Sequence, residues 1–357
     1  MNIVQYLQVM VFDSQRRAIM LSNKIPDQMT AVVLDSYTGV DALRIEQRPV
    51  PQPGPNQVLV KVDTTPINPS DLAFLEGFYG FKKPTPVVPG FEGSGTVVAT
   101  GSGMMARYLK GKRVACVSQE KGDGVWAEYM VTTTSLALPL GASVSLERGA
   151  MSVVNPMTAM AFLTIAKEGR HKAIVQTAAA SSLGQMVNRL CRSEQIQVIN
   201  IVHRDSQKEF LKEQGAEIVL NSDDADFSQH FSDTCHKYQS RLAFDAVAGP
   251  LTNQLLEAMP PNSRMIVYGG LSYEPVQVDP SQFIFEGKSV EGFWLTTWSG
   301  KKSFLQNLIL WQRVQKRIST DLKSEIRMQV PLKEVKRAIE EYQNQMTGGK
   351  ILLKPAS

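Results

Sequence analysis

Hydrophobic positions recur along this chain in two different patterns, one before about residue 150 and one after it. From residue 29 onward, short stretches with alternating apolar and polar residues are separated by clusters of Pro and Gly. Such alternation predicts strands that bury one face. The predicted strands include 58–62, 90–98, 113–117 and 126–131. Residues 29–150 are therefore predicted to form a β-rich domain.

After Asn155-Pro156 the pattern changes to short apolar runs separated by segments of helical periodicity. The runs that we expect to be strands are 173–177, 197–202, 218–220, 242–247, 265–268 and 290–295. Strands that alternate with helices are typical of βαβ units. The fold class is therefore predicted to be α/β, with a doubly wound parallel sheet of the Rossmann type over 151–296.

The C-terminal part returns to mixed patterning. Apolar residues at helical spacing predict two helices, one carrying Trp311 and Val314 and the other Ile339 and Tyr342. The final run 350–354 is strand-like and would suit the sheet of the first domain. We therefore assign 29–150 and 297–357 to one domain and 151–296 to a dinucleotide-binding domain. Residues 1–28 form either a partly ordered extension or a segment before a natural start at Met29.

Composition and charge exclude several classes of protein. A hydrophobic share of 43% with 20% charged residues predicts a folded core, and a net charge of +4 without a basic tail argues against nucleic-acid binding. No apolar run approaches the ~18 residues of a membrane span. Three scattered cysteines favour a reducing compartment. Because residues 1–28 are a poor mitochondrial leader, we predict a cytoplasmic location, with a mitochondrial one as the alternative.

A phosphate-binding turn is predicted between the run 173–177 and the helix that follows it. In the G-x-G-x-x-G register, Ala179 and Ser181 replace the first two glycines and Gly184 keeps the third. Small residues still allow a dinucleotide phosphate to approach the backbone at the start of the helix, although Ala and Ser reach positive φ less readily than Gly. A small-residue contact between helix and strand is the alternative interpretation.

The next strand ends at His203-Arg204, where NAD-specific enzymes usually place a carboxylate for the ribose hydroxyls. A cation at this position favours a 2′-phosphate, and hence NADPH over NADH. Asp205 is the rival residue, since it could serve the ribose of NADH instead. Arg204 could also be a solvated cation at the start of a helix.

Zinc is not expected, because catalytic zinc needs three protein ligands dominated by Cys and His, and residues 60–110 contain neither.

Several motifs then carry a resemblance to a known family. The run Pro66-Ile-Asn-Pro-Ser-Asp71, the turn Gly77-Phe-Tyr-Gly80 and the segment Pro89-Gly-Phe-Glu-Gly93 resemble the medium-chain dehydrogenase/reductase superfamily. Phe91 stands where its zinc alcohol dehydrogenases carry His, so the chain resembles the zinc-free branch. Further similarity to quinone oxidoreductases and mitochondrial-type 2-enoyl thioester reductases lies in 154–159, 267–270 and 292–295. The likeness covers about residues 29–354 and implies that the first domain is GroES-like.

The resemblance also implies roles for individual residues. Tyr79 matches the catalytic tyrosine of the enoyl reductases, with Asn68 as a second catalytic residue, although Tyr79 could instead pack at a domain surface. The candidate cofactor contacts are Asn155, Thr158, Ser181, Ser182, Leu183, Gly184, His203, Arg204, Tyr268, Gly269, Gly270, Leu271, Phe293, Trp294, Leu295 and Lys350. Residues 293–295 are equally consistent with a buried aromatic strand, and Lys350 with a solvated charge at a strand end.

We therefore predict a zinc-independent, NADPH-dependent reductase of 2-enoyl thioesters or related α,β-unsaturated carbonyl compounds, with Tyr79 as the proton donor. A tyrosine suits this role because its ordinary pKa near 10 keeps it protonated at neutral pH. Quinone reduction is the enzymatic alternative, and a non-catalytic NADPH-binding protein is a second alternative that the glycine-poor turn supports. The substrate would be a small molecule, and the superfamily's tendency to form dimers predicts a homodimer.

Overall fold

The structure is a computed structural model that describes residues 25–355. The predicted N-terminal extension, 1–28, falls almost wholly outside the described residues. Neither the extension nor an alternative start at Met29 is therefore tested.

The described strands and helices alternate in the way that the sequence pattern predicts. The strands are β1 (Gln28–Leu34), β2 (Leu43–Pro49), β3 (Gln57–Pro66), β4 (Glu92–Thr100), β5 (Arg113–Val117), β6 (Tyr129–Thr133), β7 (Ala137–Pro139), β8 (Ala173–Gln176), β9 (Gln197–Val202), β10 (Ile218–Asn221), β11 (Leu242–Asp245), β12 (Arg264–Val267), β13 (Ser289–Gly292), β14 (Ile326–Pro331) and β15 (Lys350–Lys354). The helices are α1 (Pro69–Leu75), α2 (Met104–Leu109), α3 (Leu146–Ala150), α4 (Val154–Glu168), α5 (Ser182–Ser193), α6 (Asp205–Glu213), α7 (Phe227–Tyr238), α8 (Pro250–Ala258), α9 (Pro280–Ile284), α10 (Leu295–Gly300), α11 (Phe304–Arg317) and α12 (Val335–Asn344), with short 3₁₀ helices at Val40–Ala42 and Leu332–Glu334.

Six parallel strands form one sheet in the order β10-β9-β8-β11-β12-β13. Every residue of β8 and β11 is buried, because helices cover both faces of the sheet centre. The strand order reverses between β8 and β11, and the carboxyl ends of the strands at such a switch point form the usual ligand crevice of a doubly wound fold. The predicted α/β class and Rossmann sheet are confirmed.

A second, mostly antiparallel sheet follows the path β14-β15-β3-β4-β5-β7, and β6 pairs with β3. The last strand returns to this sheet as predicted, because Leu352 and Leu353 of β15 pair with Pro66 and Thr65 of β3. A separate hairpin-like pair, β1 and β2, packs into the same hydrophobic core.

The predicted strand 290–295 is wrong in its second half, because β13 ends at Gly292 and α10 begins at Leu295. Its neighbour β12 ends at Val267, which pairs with Gly292, so the ladder has no partner strand beyond that point. Apolar runs do not distinguish a strand from the start of a helix, and the sequence alone could not place this boundary.

Helix α11 has the predicted helical spacing of apolar residues, but only one of its faces packs against the rest of the protein. Leu310, Trp311 and Val314 are buried in the hydrophobic cluster that also contains residues of α4, α5 and β8. The helix therefore packs beside the parallel sheet. The domain bounds 29–150, 151–296 and 297–357 stay a prediction.

Candidate active site

The turn between β8 and α5 has the geometry that a dinucleotide phosphate requires. Ser181 caps α5, and its hydroxyl accepts the N–H of Gly184 at 3.1 Å. A Cβ at position 184 would come within 2.4 Å of the carbonyl oxygen of Ala179, so only glycine fits there. The left-handed residue of the turn is Ala178, with φ 48°, whereas Ser181 is extended.

Ser182 and Leu183 occupy the first two positions of α5, where backbone N–H groups have no carbonyl of an earlier turn to bind. These N–H groups and the positive end of the helix dipole suit an anionic phosphate. The predicted residues 181–184 thus fit a pyrophosphate.

At the end of β9, His203 and Arg204 are exposed, and Arg204 stands at the N-cap of α6. Partial desolvation of the imidazole, followed by the charge of Arg204, lowers the pKa of His203. The rival Asp205 accepts the side-chain amide of Asn221 at 3.1 Å. This contact directs the Asp205 carboxylate toward β10 and leaves Arg204 as the charge presented at the strand end.

Asp245, which the sequence analysis did not single out, organises the crevice at the switch point. Its carboxylate accepts the hydroxyls of Thr177 at 2.7 Å and Thr252 at 2.6 Å. It also accepts the backbone N–H groups of Val247 and Ala248 at 2.9 and 3.2 Å. The carboxylate therefore ties the ends of β8 and β11 to α8. An aspartate directly after an apolar run was the signal for this role.

The segment Tyr268–Leu271 follows β12 at the same edge of the sheet. The N–H of Tyr268 donates to Asp245 O at 2.8 Å, and that of Leu271 to Ala246 O at 3.1 Å. A Cβ on Gly269 would lie 2.7 Å from Ala246 O, which explains the glycine there. Gly270 has open space around its Cα, so its backbone is accessible.

Tyr79 and Trp294 meet although they lie far apart in the sequence. The indole N–H of Trp294 donates to the Tyr79 hydroxyl oxygen at 3.1 Å. The Tyr79 ring also packs against Phe91 and Phe81, with centroids 4.4 and 5.2 Å apart. Burial raises the pKa of the Tyr79 phenol, and the Trp294 hydrogen bond offsets part of that rise. The predicted catalytic residue Tyr79 and the predicted cofactor contact Trp294 are therefore in direct contact.

Phe293 and Leu295 face a different environment from Trp294. Phe293 packs against Phe162 of α4, with centroids 5.2 Å apart, and Leu295 lies against the same hydrophobic cluster.

On α4, Asn155 is half-buried in the first turn. The Thr158 hydroxyl donates to Val154 O at 2.7 Å, which leaves its lone pairs able to accept.

Asn68 and Lys350 lie inside the molecule, with 1% and 2% of their surfaces exposed. The Lys350 ammonium donates to Asn68 Oδ1, and Asn68 Nδ2 donates to Glu92 Oε1 at 3.0 Å. The interpretation of Lys350 as a solvated strand-end charge is therefore wrong, because the return of β15 to the sheet centre buries the residue.

Two carboxylates complete this buried network. Asp71 accepts the N–H groups of Asn68 at 2.8 Å and Phe91 at 3.0 Å, and burial raises its pKa to about 7. Glu92 Oε2 accepts the N–H groups of Val153 and Val154 at 3.0 and 2.9 Å. Because Val154 begins α4, Glu92 joins the strand that follows Phe91 to the helix that carries Asn155.

The donor set at this network does not fit zinc. Residues 25–355 contain no group of three or more His, Cys, Asp or Glu side chains that could hold a metal ion. Asn68 already accepts the Lys350 ammonium, and burial raises the pKa of the Cys116 thiol to about 12, far from the thiolate that zinc prefers.

Comparisons with known proteins identify the families to which the two parts of the chain are similar. The family described as alcohol dehydrogenase GroES-like domain matches residues 54–142, and the family described as zinc-binding dehydrogenase matches 182–310. The mitochondrial enoyl-acyl-carrier-protein reductase of Arabidopsis thaliana is 31% identical over 274 residues, 75% of this chain and 72% of that protein. The Bos taurus protein of the same name is 33% identical over 253 residues, 69% of this chain and 66% of its own.

Among solved structures, a protein of Mesorhizobium loti provisionally described as an NADPH:quinone reductase superposes with a TM-score of 0.86. It is 37% identical, and the match covers 93% of this chain and 100% of that one. The parallel sheet and the GroES-like unit, together with these reductase relatives, define an NADP-dependent oxidoreductase. The chain belongs to the medium-chain dehydrogenase/reductase superfamily. Within residues 25–355, no helix is both long and apolar enough to cross a bilayer.

Proposed function

We propose that this protein uses NADPH to reduce the activated C=C bond of a 2-enoyl thioester or a related α,β-unsaturated carbonyl compound, with Tyr79 as the proton donor and without zinc. The observation that carries the proposal is the hydrogen bond from Trp294 to the Tyr79 oxygen. Because the phenol oxygen accepts this bond, its own proton is free to be donated to a substrate.

Bound NADPH would supply the hydride for the β-carbon. The residues of this chain that suit it are the Ser182 and Leu183 amides for the pyrophosphate, Arg204 for the 2′-phosphate and the backbone of Gly270 near the switch point. Asn155 and Thr158, at the start of α4, would face the nicotinamide ribose or its amide. The fit rests on the small residues of the turn and on the direction of Asp205 away from the strand end.

Tyr79 would act on the acceptor. A phenol whose pKa is raised by burial stays protonated at neutral pH and can donate a hydrogen bond to the substrate carbonyl as enolate charge develops there. Phe81 and Phe91, which pack against its ring, would exclude water from the reacting carbon atoms. Asn68 and Lys350 were predicted as a catalytic residue and a cofactor contact, but they bond to each other inside the molecule. We propose that they act indirectly, because Asp71 accepts the N–H groups of both Asn68 and Phe91, and the Phe91 ring packs against Tyr79.

The names of the relatives support both the proposal and one alternative. The Arabidopsis thaliana and Bos taurus relatives are named enoyl-acyl-carrier-protein reductases, whereas the Mesorhizobium loti protein is described as an NADPH:quinone reductase. A cleft lined by aromatic rings would also accept a planar quinone, which needs no acid at Tyr79.

A panel of acceptors separates the two activities. NADPH oxidation is followed by absorbance with 2-enoyl thioesters, enones and quinones, and zinc is measured on the same preparation by elemental analysis. We expect the highest kcat/KM with an enoyl thioester and substoichiometric zinc. Turnover of quinones alone would favour the alternative, and one tightly bound zinc ion per chain would overturn zinc independence.

We also propose that the protein is a homodimer that pairs through β13. This strand is the edge of the parallel sheet, and most of its residues are exposed. Beside it in the sequence, Ile284 and Phe285 are 70% and 81% exposed. An unpaired edge next to exposed apolar side chains suits a second copy of the same edge.

The cytoplasmic location stays a prediction from the sequence. The names of the curated relatives favour the mitochondrial alternative. Imaging of the full chain with a C-terminal tag separates the two locations.

A further inference from the structure

Helix α4 begins without a capping side chain of its own. Its N-cap residue is Val153, which has no side-chain acceptor, and Pro156 in the first turn has no N–H to donate. The N–H groups of Val153 and Val154 are bound instead by Glu92 Oε2, at 3.0 and 2.9 Å. Glu92 precedes Val153 by 61 residues and lies on β4, so the antiparallel sheet supplies the cap of this helix.

The Glu92 carboxylate is also held on its other side. It is buried, and its second oxygen, Oε1, accepts Asn68 Nδ2 at 3.0 Å. Asn68 in turn accepts the Lys350 ammonium, and the charge of Glu92 opposes the lowering of the Lys350 pKa by burial. A carboxylate with three hydrogen bonds to fixed partners has one available position. The position of β4 is therefore passed on to α4.

Two separate paths connect Tyr79 to the parallel sheet. The direct path is the hydrogen bond from Trp294, which follows β13. The second path runs through the interior of the molecule. The Tyr79 ring packs against Phe91, with centroids 4.4 Å apart, and the next residue, Glu92, binds the start of α4.

The aromatic residue Phe162 of α4 completes the interior path. Its ring stacks on Phe244 of β11, with centroids 4.0 Å apart. It also packs edge-on against Tyr268 and Phe293, at 4.9 and 5.2 Å, which directly follow β12 and β13. These contacts fix α4 near the carboxyl ends of three parallel strands, the edge at which doubly wound folds bind their ligands.

We propose that Glu92 is a positioning residue, which holds the start of α4 against the wall of Tyr79 and so sets the distance between the proton donor and the cofactor edge of the sheet. The inference rests on the proposed function. It gives the length and the charge of Glu92 separate consequences. The length sets the geometry of the chemical step, whereas the charge compensates the buried Lys350 and so contributes to stability.

Two substitutions separate these consequences. Glu92→Asp keeps the charge but is one methylene shorter, so its carboxylate cannot reach both α4 and Asn68. Glu92→Gln keeps the length and one oxygen for Val153 and Val154, but it loses the charge that compensates Lys350, and its amide faces the Asn68 amide. Single-turnover hydride transfer from NADPH to a 2-enoyl thioester measures the chemical step, and urea unfolding without cofactor measures stability.

The two measurements should rank the variants in opposite orders. Glu92→Asp should lower the single-turnover rate constant by roughly 10- to 100-fold, the effect of a misplacement of about 1 Å, and Glu92→Gln by less than about fivefold. Glu92→Gln should nevertheless be the less stable protein. A purely structural role would not give this result, because loss of folded enzyme lowers the amplitude of the single turnover and not its rate constant.

Ser94→Ala is the matched control. Ser94 is also buried on β4, and its hydroxyl donates to Leu146 O at 2.6 Å, which joins the same strand to α3. This variant should keep the rate constant within about twofold. Rate constants that follow the order of stability, or an unchanged rate constant in Glu92→Asp, would overturn the positioning role and leave the enoyl reductase activity standing. Absence of thioester turnover in the unmutated enzyme would instead overturn the proposed function, and the positioning role with it.

Discussion

At the scale of the residue, the candidate site depends on which way each polar group is turned. Trp294 donates to Tyr79, Asp205 is directed to Asn221, and Lys350 is directed inward to Asn68. The residue types at these positions could be read from the sequence, but their partners could not, because each partner comes from a different part of the chain.

Removal of the Trp294 N–H tests the orientation of Tyr79. In Trp294→Phe the phenol loses the donor that fixes its oxygen and opposes the rise in its pKa. We expect kcat for the enoyl acceptor to fall roughly 5- to 50-fold, the effect of one catalytic hydrogen bond. Steady-state kinetics check this, with Trp298→Phe as the control that removes an indole packed against Phe293. Equal losses in the two variants would show a packing effect only.

The proposed preference for NADPH over NADH depends on Arg204. Charge-assisted hydrogen bonds to a 2′-phosphate are worth ~1.5–3 kcal/mol, roughly 10- to 100-fold in affinity. Arg204→Ala should weaken NADPH binding by about this factor and leave NADH binding nearly unchanged. Fluorescence titration measures both, and Lys208→Ala, a cation on the same helix that pairs with Asp224, is the control. Equal affinity for NADH and NADPH in the unmutated protein would contradict the assignment.

Asp71 should make the free energy of unfolding depend on pH. Burial raises its pKa to about 7 in the folded protein, above its ordinary value of 3.8. The folded state therefore binds more protons than the unfolded state between these values, and the contribution of Asp71 to stability is lost as the pH rises from about 4 to 7. Asp71→Asn should lose this component, which is on the order of a few kcal/mol. Urea unfolding at pH 5 and pH 8 measures it, and an identical pH dependence in both proteins would refute the assignment.

At the scale of the element, the pattern of apolar residues predicted the strands correctly where both faces of a strand are buried. The parallel strands were predictable because both faces of β8 and β11 are buried, which gives continuous apolar runs. The start of α10 was not predictable, since Phe293 and Leu295 are apolar in either conformation. The buried network of Asn68, Glu92 and Lys350 was also hidden, because charged residues at strand ends are usually solvated.

The proposed homodimer interface is the edge strand β13. Phe285→Glu places a charge beside the exposed edge, where a second copy would bury it without a partner. We expect this variant to sediment as a monomer, whereas the unmutated protein and Phe304→Glu, on α11, should sediment as dimers. Sedimentation velocity at micromolar concentration measures this. A monomeric unmutated protein would exclude the proposed interface.

At the scale of the whole molecule, the chain starts in the antiparallel sheet, forms the parallel sheet and then returns. This path brings residues from distant parts of the chain to the candidate site. Tyr79 comes from the first antiparallel unit, Asn155 from the helix after it and Trp294 from the end of the parallel sheet. Glu92 links the first two of these parts through the N–H groups of Val153 and Val154. We therefore expect the ligand site to lie between these packed units, where ligand sites commonly occur.

The most direct test of the account is the turnover of Tyr79→Phe with two acceptors on one preparation. NADPH oxidation is measured with a 2-enoyl thioester and with a quinone, together with NADPH binding by fluorescence. Loss of the proton donor should lower enoyl turnover by roughly two to four orders of magnitude, while quinone turnover and NADPH affinity change by less than about threefold. Undiminished enoyl turnover in Tyr79→Phe would contradict the assignment of Tyr79 as the acid and favour quinone reduction.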